Sequence, residues 1–429
     1  MFRIQRLSAL EILDSRGRPT VQATCLLADG CDGTASIPSG ASTGAAEALE
    51  LRDGDPRRFR GLGCRQAVAH VNDTLDRALS GQAFPTQAAL DQALRQLDGT
   101  ANKARLGANA ILPVSLAFAR AASRRQGRPL HDYFAELRGT RSPTLPRPAI
   151  NLFSGGKHAG SQSPLQDVLV VPVTARTMAE ALAMIFEVYQ CAAELCAKQY
   201  GMRLLRADEG GLAPPFASAG AMLDDAVAAI RAAGFKAGED VSLAVDVAAT
   251  HFHQRDGYHL GPRVLDSHQM IDQLERWVER YPVVSVEDGL AEEDWEYWPR
   301  LRARLAGRAL TVGDDLLCTN PARISRAIQI GAADTLLLKV NQIGTVTEAL
   351  EACQLARSAG WRVTISARSG ETEDDWLADL AVGWAGDQIK IGSITQSERL
   401  SKYNRLLEIQ AATGWPLVPW PGRAKLDEL

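Results

Sequence analysis

From about residue 240 onward, short apolar runs alternate with helical segments, and each run carries an ionisable residue within it or at its end. The runs are VSLAVD ending at Asp246, VVSVED reaching Glu287, LTVGDD reaching Asp314, TLLLKV containing Lys339, RVTISARS containing Arg368 and DQIKIG containing Lys390. Successive charged residues are 41, 27, 25, 29 and 22 positions apart. Between them lie amphipathic stretches such as MIDQLERWVERY, PARISRAIQIGA, VTEALEACQLARSAG and DDWLADLAVGWAG. A repeated strand–helix unit of about 25 residues is the pattern of parallel α/β architecture. Six charges buried singly would be prohibitively costly, so they must converge on one another or on a metal. An open doubly wound sheet would spread six strand ends along an edge, whereas the C-terminal face of a closed (β/α) barrel gathers them. The expected fold class is therefore α/β, with a barrel in the C-terminal part.

The N-terminal part reads differently. PTVQATCLLADG alternates as a strand and ends in a turn signal, while TQAALDQALRQLDG and NAILPVSLAFARAASRRQG carry apolar residues at helical spacing. This predicts a small α+β domain over residues 1–137 and the barrel over 138–429, with the proline-rich RGTRSPTLPRP at 138–148 at the boundary. A chain of 429 residues exceeds the size at which single cores stop growing, so two domains are expected.

Composition excludes several classes. A net charge of −4 disfavours a nucleic-acid surface, and no apolar run approaches the length needed to span a bilayer. Seven scattered cysteines without C-x-x-C spacing argue against structural zinc and a disulfide framework, and fit a reducing cytoplasm. The N-terminus lacks the pattern of a signal peptide, so the terminal LDEL is expected to be a chance match to a retrieval tag. Only eight of the 47 basic residues are lysine, which makes each lysine more informative.

Asp246, Glu287 and Asp314 place three carboxylates on successive strand ends. Hard oxygen ligands suit Mg²⁺, with salt bridging to arginine as the bland alternative. Lys339 and Lys390 sit in apolar runs, an expensive place for an ammonium. A desolvated lysine beside a metal can act as a general base near neutral pH. Proton abstraction next to a carboxylate, with metal charge offsetting the dianion, accounts for the whole set. Asp208-Glu209-Gly210-Gly211 suggests a tight loop presenting an acid, although a surface turn reads the same way. Ser39-Gly40-Ala41-Ser42-Thr43-Gly44 is a small-residue loop able to close over a ligand. The H-x-H of His251 and His253 is expected to be a solvated turn.

These residues closely resemble the enolase family, from ILDSRGRPTV near the start to SERLSKYNRLLEI near the end. The most specific stretches are SGASTG, LGANAIL, ADEGGLAP, SVEDGL, VGDDLLCTNP, LLLKVNQIGTVTEAL and SGETEDDWLADLAVG. The resemblance implies an N-terminal α+β domain and a barrel whose first strands depart from regular order, in a homodimer or homo-octamer. It implies one structural Mg²⁺ on Asp246, Glu287 and Asp314, and one catalytic Mg²⁺ arriving with substrate and helped by Ser42. It implies Lys339 as the base at C2 of a phosphorylated three-carbon acid, and Lys390 as the group neutralising the carboxylate dianion. Glu209 would assist departure of the C3 hydroxyl, Arg368 and Ser369 would bind phosphate, and His158 would sit beside it.

The departures from the family pattern fall in the same region. Enolases carry S-H-R-S-G-E-T-E-D where this chain has Ala367 in place of the histidine, and Q-E where it has Gln166-Asp167. Arg206-Ala207 precedes Asp208 where a glycine is usual. Lys157 adds positive charge beside His158, Gln396 stands where many members have arginine, and Arg18 replaces an asparagine. Asp167, Gln166 and Lys157 are thus candidate catalytic or substrate-binding positions. The expectation from these changes is a specialised paralogue resembling carboxyphosphonoenolpyruvate synthase of phosphonate and phosphinate biosynthesis, acting on a phosphorylated or phosphonate substrate. An ordinary glycolytic enolase and a non-catalytic binding protein are the alternatives.

Overall fold

The computed structural model describes residues 1–41, 44–160, 163, 165–201 and 205–420. The N-terminal sheet has the order β3-β2-β1-β4, built from β1 (Phe2–Leu13), β2 (Pro19–Leu27), β3 (Asp32–Ser36) and β4 (Ala83–Phe84). β1 and β2 form an antiparallel pair running from Ile4↔Leu27 to Leu13↔Pro19. The helix Ala108–Arg125 is buried along almost its whole length and packs against β2 and β3. Gly33 permits the close approach: a Cβ there would lie 2.2 Å from the carbonyl oxygen of Ala117 and 2.5 Å from the nitrogen of Ala121. Helix Gln87–Asp98 begins at Thr86, whose side chain accepts from the Ala89 nitrogen, and it ends at Gly99 in the left-handed conformation.

The rest of the chain closes an eight-stranded barrel. Its strands are β5 (Arg147–Ser154), β6 (Asp167–Pro172) and β7 (Val241–Asp246). After a small meander of β8 (His253–Gln254), β9 (Gly257–Leu260) and β10 (Arg263–Leu265) come β11 (Val283–Glu287), β12 (Leu310–Gly313), β13 (Thr335–Leu338), β14 (Arg362–Ser366) and β15 (Gln388–Gly392). Around the barrel the order is β11-β12-β13-β14-β15-β5-β6-β7, closed between β7 and β11. Every neighbouring pair is parallel except β5–β6 and β6–β7. The reversed β6 and the two helices Met178–Tyr200 and Ala219–Ala232 that follow it make the opening of the barrel irregular.

Alternate residues of the barrel strands divide the interior. Leu243 and Val245 face the helices, while Ala244 points inward and packs with Ala149, Leu169, Val171, Val284 and Trp420. Arg362 stacks over the Trp420 ring at 4.8 Å. Above this small apolar layer, toward the C-terminal ends of the parallel strands, the inward residues become charged.

Candidate active site

The six ionisable residues of the repeat converge at the C-terminal mouth of the barrel. Asp246 ends β7, Glu287 ends β11, and Lys390 lies within β15. Asp314, Lys339 and Arg368 follow the ends of β12, β13 and β14 by one or two residues, and all six are buried. Lys390 Nζ donates at 2.8 Å to Asp246 Oδ2 and to both oxygens of Glu287. Lys339 Nζ donates to Asp314 Oδ2, whose other oxygen accepts from Gln342 Nε2 at 2.9 Å.

The electrostatics follow from this crowding. Burial and the neighbouring Asp246 hold the Glu287 carboxyl well above its ordinary range. Burial also opposes ionisation of Asp246, but Lys390 prevails and holds it down at about 2. Both ammonium groups are disfavoured by burial, yet Asp246 and Glu287 raise Lys390, and Asp314 raises Lys339. Asp288, with φ of 43°, accepts from the Asp314 nitrogen at 2.9 Å and the Asp315 nitrogen at 2.7 Å. Asp315 is pushed up to about 7 by burial and by Asp314. Hard oxygen donors crowded to this degree suit a divalent cation. Among the described residues, the acidic group with oxygens within 4.8 Å of one another is Asp288, Asp314 and Asp315. The expected trio is instead split between the two lysines.

The opposite wall comes from β5, β6 and the loop before Ala219. Because β6 runs backwards, its first residue, Asp167, reaches the mouth beside Asp246, its partner in register. β13 and β6 stand four strands apart in the eight-stranded order, so Lys339 and Asp167 face each other across the barrel. His158, on the turn Gly156–Ala159, pairs its Nδ1 with Asp167 Oδ2 at 2.9 Å, and its Nε2 lies 3.7 Å from Glu209 Oε1. Burial disfavours the imidazolium, but Asp167 and Glu209 outweigh it and push His158 up to about 9. Burial likewise works against ionised Glu209, and the His158 charge overcomes it and lowers that carboxyl. Asn151 Nδ2 donates to Glu209 Oε2 at 2.9 Å. Gly210, at φ of 85°, turns the loop where a Cβ would lie 2.5 Å from Thr395 Oγ1.

The remaining predicted residues fall around this centre. Gln166 Nε2 donates to Asp246 Oδ2 at 3.2 Å, while its buried Oε1 has no partner among the described residues. Arg368 donates to Glu47 Oε2 and Asn341 Oδ1, each at 3.0 Å. Ser369 Oγ accepts from Arg16 Nη1 at 3.2 Å. Lys157 is exposed, and Ser42 lies outside the described residues.

Residues 4–134 match the enolase N-terminal domain, and residues 142–423 match the enolase C-terminal TIM barrel domain. The chain belongs to the enolase family. One relative, Enolase 1 of Methylococcus capsulatus, is 48% identical over 415 residues, covering 96% of this chain and 98% of its own length. The protein is thus a lyase of the enolase superfamily.

Where the chain departs from the enolase pattern, the structure shows what replaces it. The Ala367 methyl is buried in the main core, and its nitrogen donates to the Lys390 carbonyl at 2.8 Å. Gln396, with φ of 72°, immediately precedes the last helix, Ser397–Thr413, and Arg18 is exposed. The H-x-H divides. His253 is exposed, with its ring 4.4 Å from that of Tyr258. His251 is not the solvated residue expected from sequence: it is partly buried, its Nδ1 has no partner among the described residues, and burial together with Lys157 pushes it down to about 4. Glu47, Asn151, Ser154 and Gln342 were not legible as site residues, because polar residues of ordinary type declare nothing until the fold sets them beside a charge.

Proposed function

We propose that this chain catalyses the ordinary enolase reaction, the dehydration of 2-phosphoglycerate to phosphoenolpyruvate. The observation that carries the reading is the division of the barrel mouth. A buried lysine stands on one wall, and the His158, Asp167 and Glu209 group stands on the wall opposite. Elimination needs a base at one carbon and a group receiving the departing hydroxyl at the next, held apart by the substrate.

In this reading Lys339 removes the C2 proton, Lys390 faces the carboxylate that gains charge, and Arg368 with Ser369 takes the phosphate. Glu209 and His158 meet the C3 hydroxyl, and Gln166 fixes Asp246. Mg²⁺ held by Asp246, Glu287 and Asp314, with a second ion toward Ser42, would supply charge against the dianion and take over carboxylate charge that the lysines now neutralise. The crowded carboxyls fit such an ion, since Glu287 and Asp315 are both held above their ordinary range. The buried position of Lys339 serves the same end, because an ammonium released from Asp314 in a desolvated site gives up its proton readily.

The specialised reading, as a relative of carboxyphosphonoenolpyruvate synthase, rested on Ala367, Asp167 and Lys157. The relative that spans the chain carries the name of an enolase, which favours the ordinary reaction. A non-catalytic role leaves the costly burial of so many charges without a purpose.

Turnover of 2-phosphoglycerate with Mg²⁺ tests the proposal. The expected result is steady formation of phosphoenolpyruvate, lost on chelation and reduced by about 10³-fold or more in Lys339→Ala, as expected for removal of a general base. Absence of turnover in the intact, Mg²⁺-loaded protein would reject it.

A further inference from the structure

We infer that Arg399 and Lys402 of the last helix are positioning residues for phosphate binding. They fix the main chain of Arg368 and Ser369 against the strand of Lys390, and so set how a phosphate and a carboxylate of one substrate are held together. The inference deepens the proposed dehydration and rests on that reading for the roles of Arg368, Ser369 and Lys390.

Both residues are 0% exposed, and a buried cation is costly unless its donors are fully used. Arg399 is the third residue of the helix Ser397–Thr413, where a positive charge opposes the helix dipole. Its gain therefore lies outside the helix. Nη1 donates to the Arg368 carbonyl at 2.6 Å and to the Ile391 carbonyl at 2.9 Å, and Nη2 donates to the Ser369 carbonyl at 2.5 Å. Nε lies 3.3 Å from Glu398 Oε1. One planar group thus ties the two residues assigned to phosphate to the residue that follows Lys390 in β15. A lysine ammonium is a point charge on a flexible stem and cannot reproduce that fixed fork. Gly392 makes the room: a Cβ there would lie 2.9 Å from Arg399 Cδ and 3.0 Å from the Glu209 carbonyl oxygen.

Lys402, three residues on and so on the same face of the helix, holds the far end of the same loop. Its Nζ donates to the Thr372 carbonyl and pairs with Glu371 Oε2 at 3.1 Å. Glu371 Oε1 in turn accepts from the Arg368 nitrogen at 3.1 Å. Because β14 ends at Ser366, Arg368 and Ser369 lie beyond its ladder. The nitrogen of Arg368 is set through Glu371 and Lys402, and its carbonyl through Arg399. Charge-assisted hydrogen bonds of this kind are the strong ones, and they are spent here on main chain rather than on substrate.

The test uses the full-length, Mg²⁺-loaded protein with Arg399→Lys and Lys402→Met. Two probes are titrated by NMR without turnover: inorganic phosphate, by its phosphorus signal, and ¹³C-labelled glycerate, an acid that carries no phosphate. Arg399→Lys is expected to weaken phosphate by about tenfold or more and glycerate by less than about twofold, since displacement by about 1 Å is felt only at the group displaced. Lys402→Met should act in the same direction by less, and it carries the test if Arg399→Lys folds poorly. With 2-phosphoglycerate, KM should rise by about the same factor as the phosphate constant while kcat falls less than about threefold, as for binding shared by ground and transition states. Equal losses for phosphate and glycerate would mean general loosening of the mouth and would overturn the inference. Unchanged phosphate affinity in both variants would overturn it too, and would leave the proposed dehydration standing if 2-phosphoglycerate is still turned over. Selective loss of phosphate upholds the positioning even if 2-phosphoglycerate proves not to be the substrate.

Discussion

The two lysines at the barrel mouth each hold charges that could not otherwise remain buried together. Lys390 bridges Asp246 and Glu287, both nearly inaccessible, and Lys339 serves Asp314. Removing one partner of such a cluster leaves an uncompensated buried charge, which typically costs about 3–5 kcal/mol. Lys390→Met is therefore expected to lower the unfolding free energy of chelator-treated protein by an amount in that range, read from urea transitions at neutral pH. The deficit should shrink as pH falls. Glu287 already has its carboxyl held well above the ordinary value, so the folded state binds its proton before the unfolded chain does. Stability tied to that group thus rises as pH drops through the folded value, and a protonated Glu287 needs no ammonium. A deficit that grows in acid would contradict this account of the cluster.

At the scale of elements, the position of the site depends on the reversal of β6. Had β6 run parallel to its neighbours, Asp167 would sit at the closed end of the barrel, away from His158. The six strand ends of the repeat were legible in the sequence because each couples an apolar run to a charge, and helical stretches of clear period lie between most of them. β5 and β6 were not, because AINLFS and DVLVVP are buried on both faces and show no alternation that separates strand from helix. The helix Ala108–Arg125 was legible despite Pro113, since its apolar residues recur at helical spacing throughout. How closely that helix seats was not legible, because it depends on Gly33 of a strand far away in the chain. Gly33→Ala would drive a methyl into helix backbone at 2.2 Å. Overpacking of this kind costs about 1–3 kcal/mol or more, so a clearly lowered melting temperature is expected. An unchanged melting temperature would show that the helix can shift at little cost.

Over the whole molecule, the N-terminal part reaches into the barrel mouth at several points. Ser39 and Gly370 exchange backbone hydrogen bonds at 2.8 and 3.0 Å, and Glu47 pairs with Arg368. Further out, Lys103 donates to Glu348 at 2.7 Å, and Asp91 accepts from the Thr347 nitrogen at 2.9 Å. The result is a mouth with Lys339 at the end of β13 on one side and the His158, Asp167 and Glu209 group of β5, β6 and the Glu209 loop on the other, to which the proposed reaction gives the base and the leaving-group side. Among the described residues, no helix is long and apolar enough to cross a membrane. The most direct test of this division of labour is exchange of the C2 proton of 2-phosphoglycerate with deuterated water, measured beside phosphoenolpyruvate formation. Two walls with separate tasks predict that Lys339→Ala neither exchanges nor eliminates, while Glu209→Gln still exchanges and eliminates slowly. Exchange at the natural rate in Lys339→Ala would show that the base lies elsewhere and contradict the assignment.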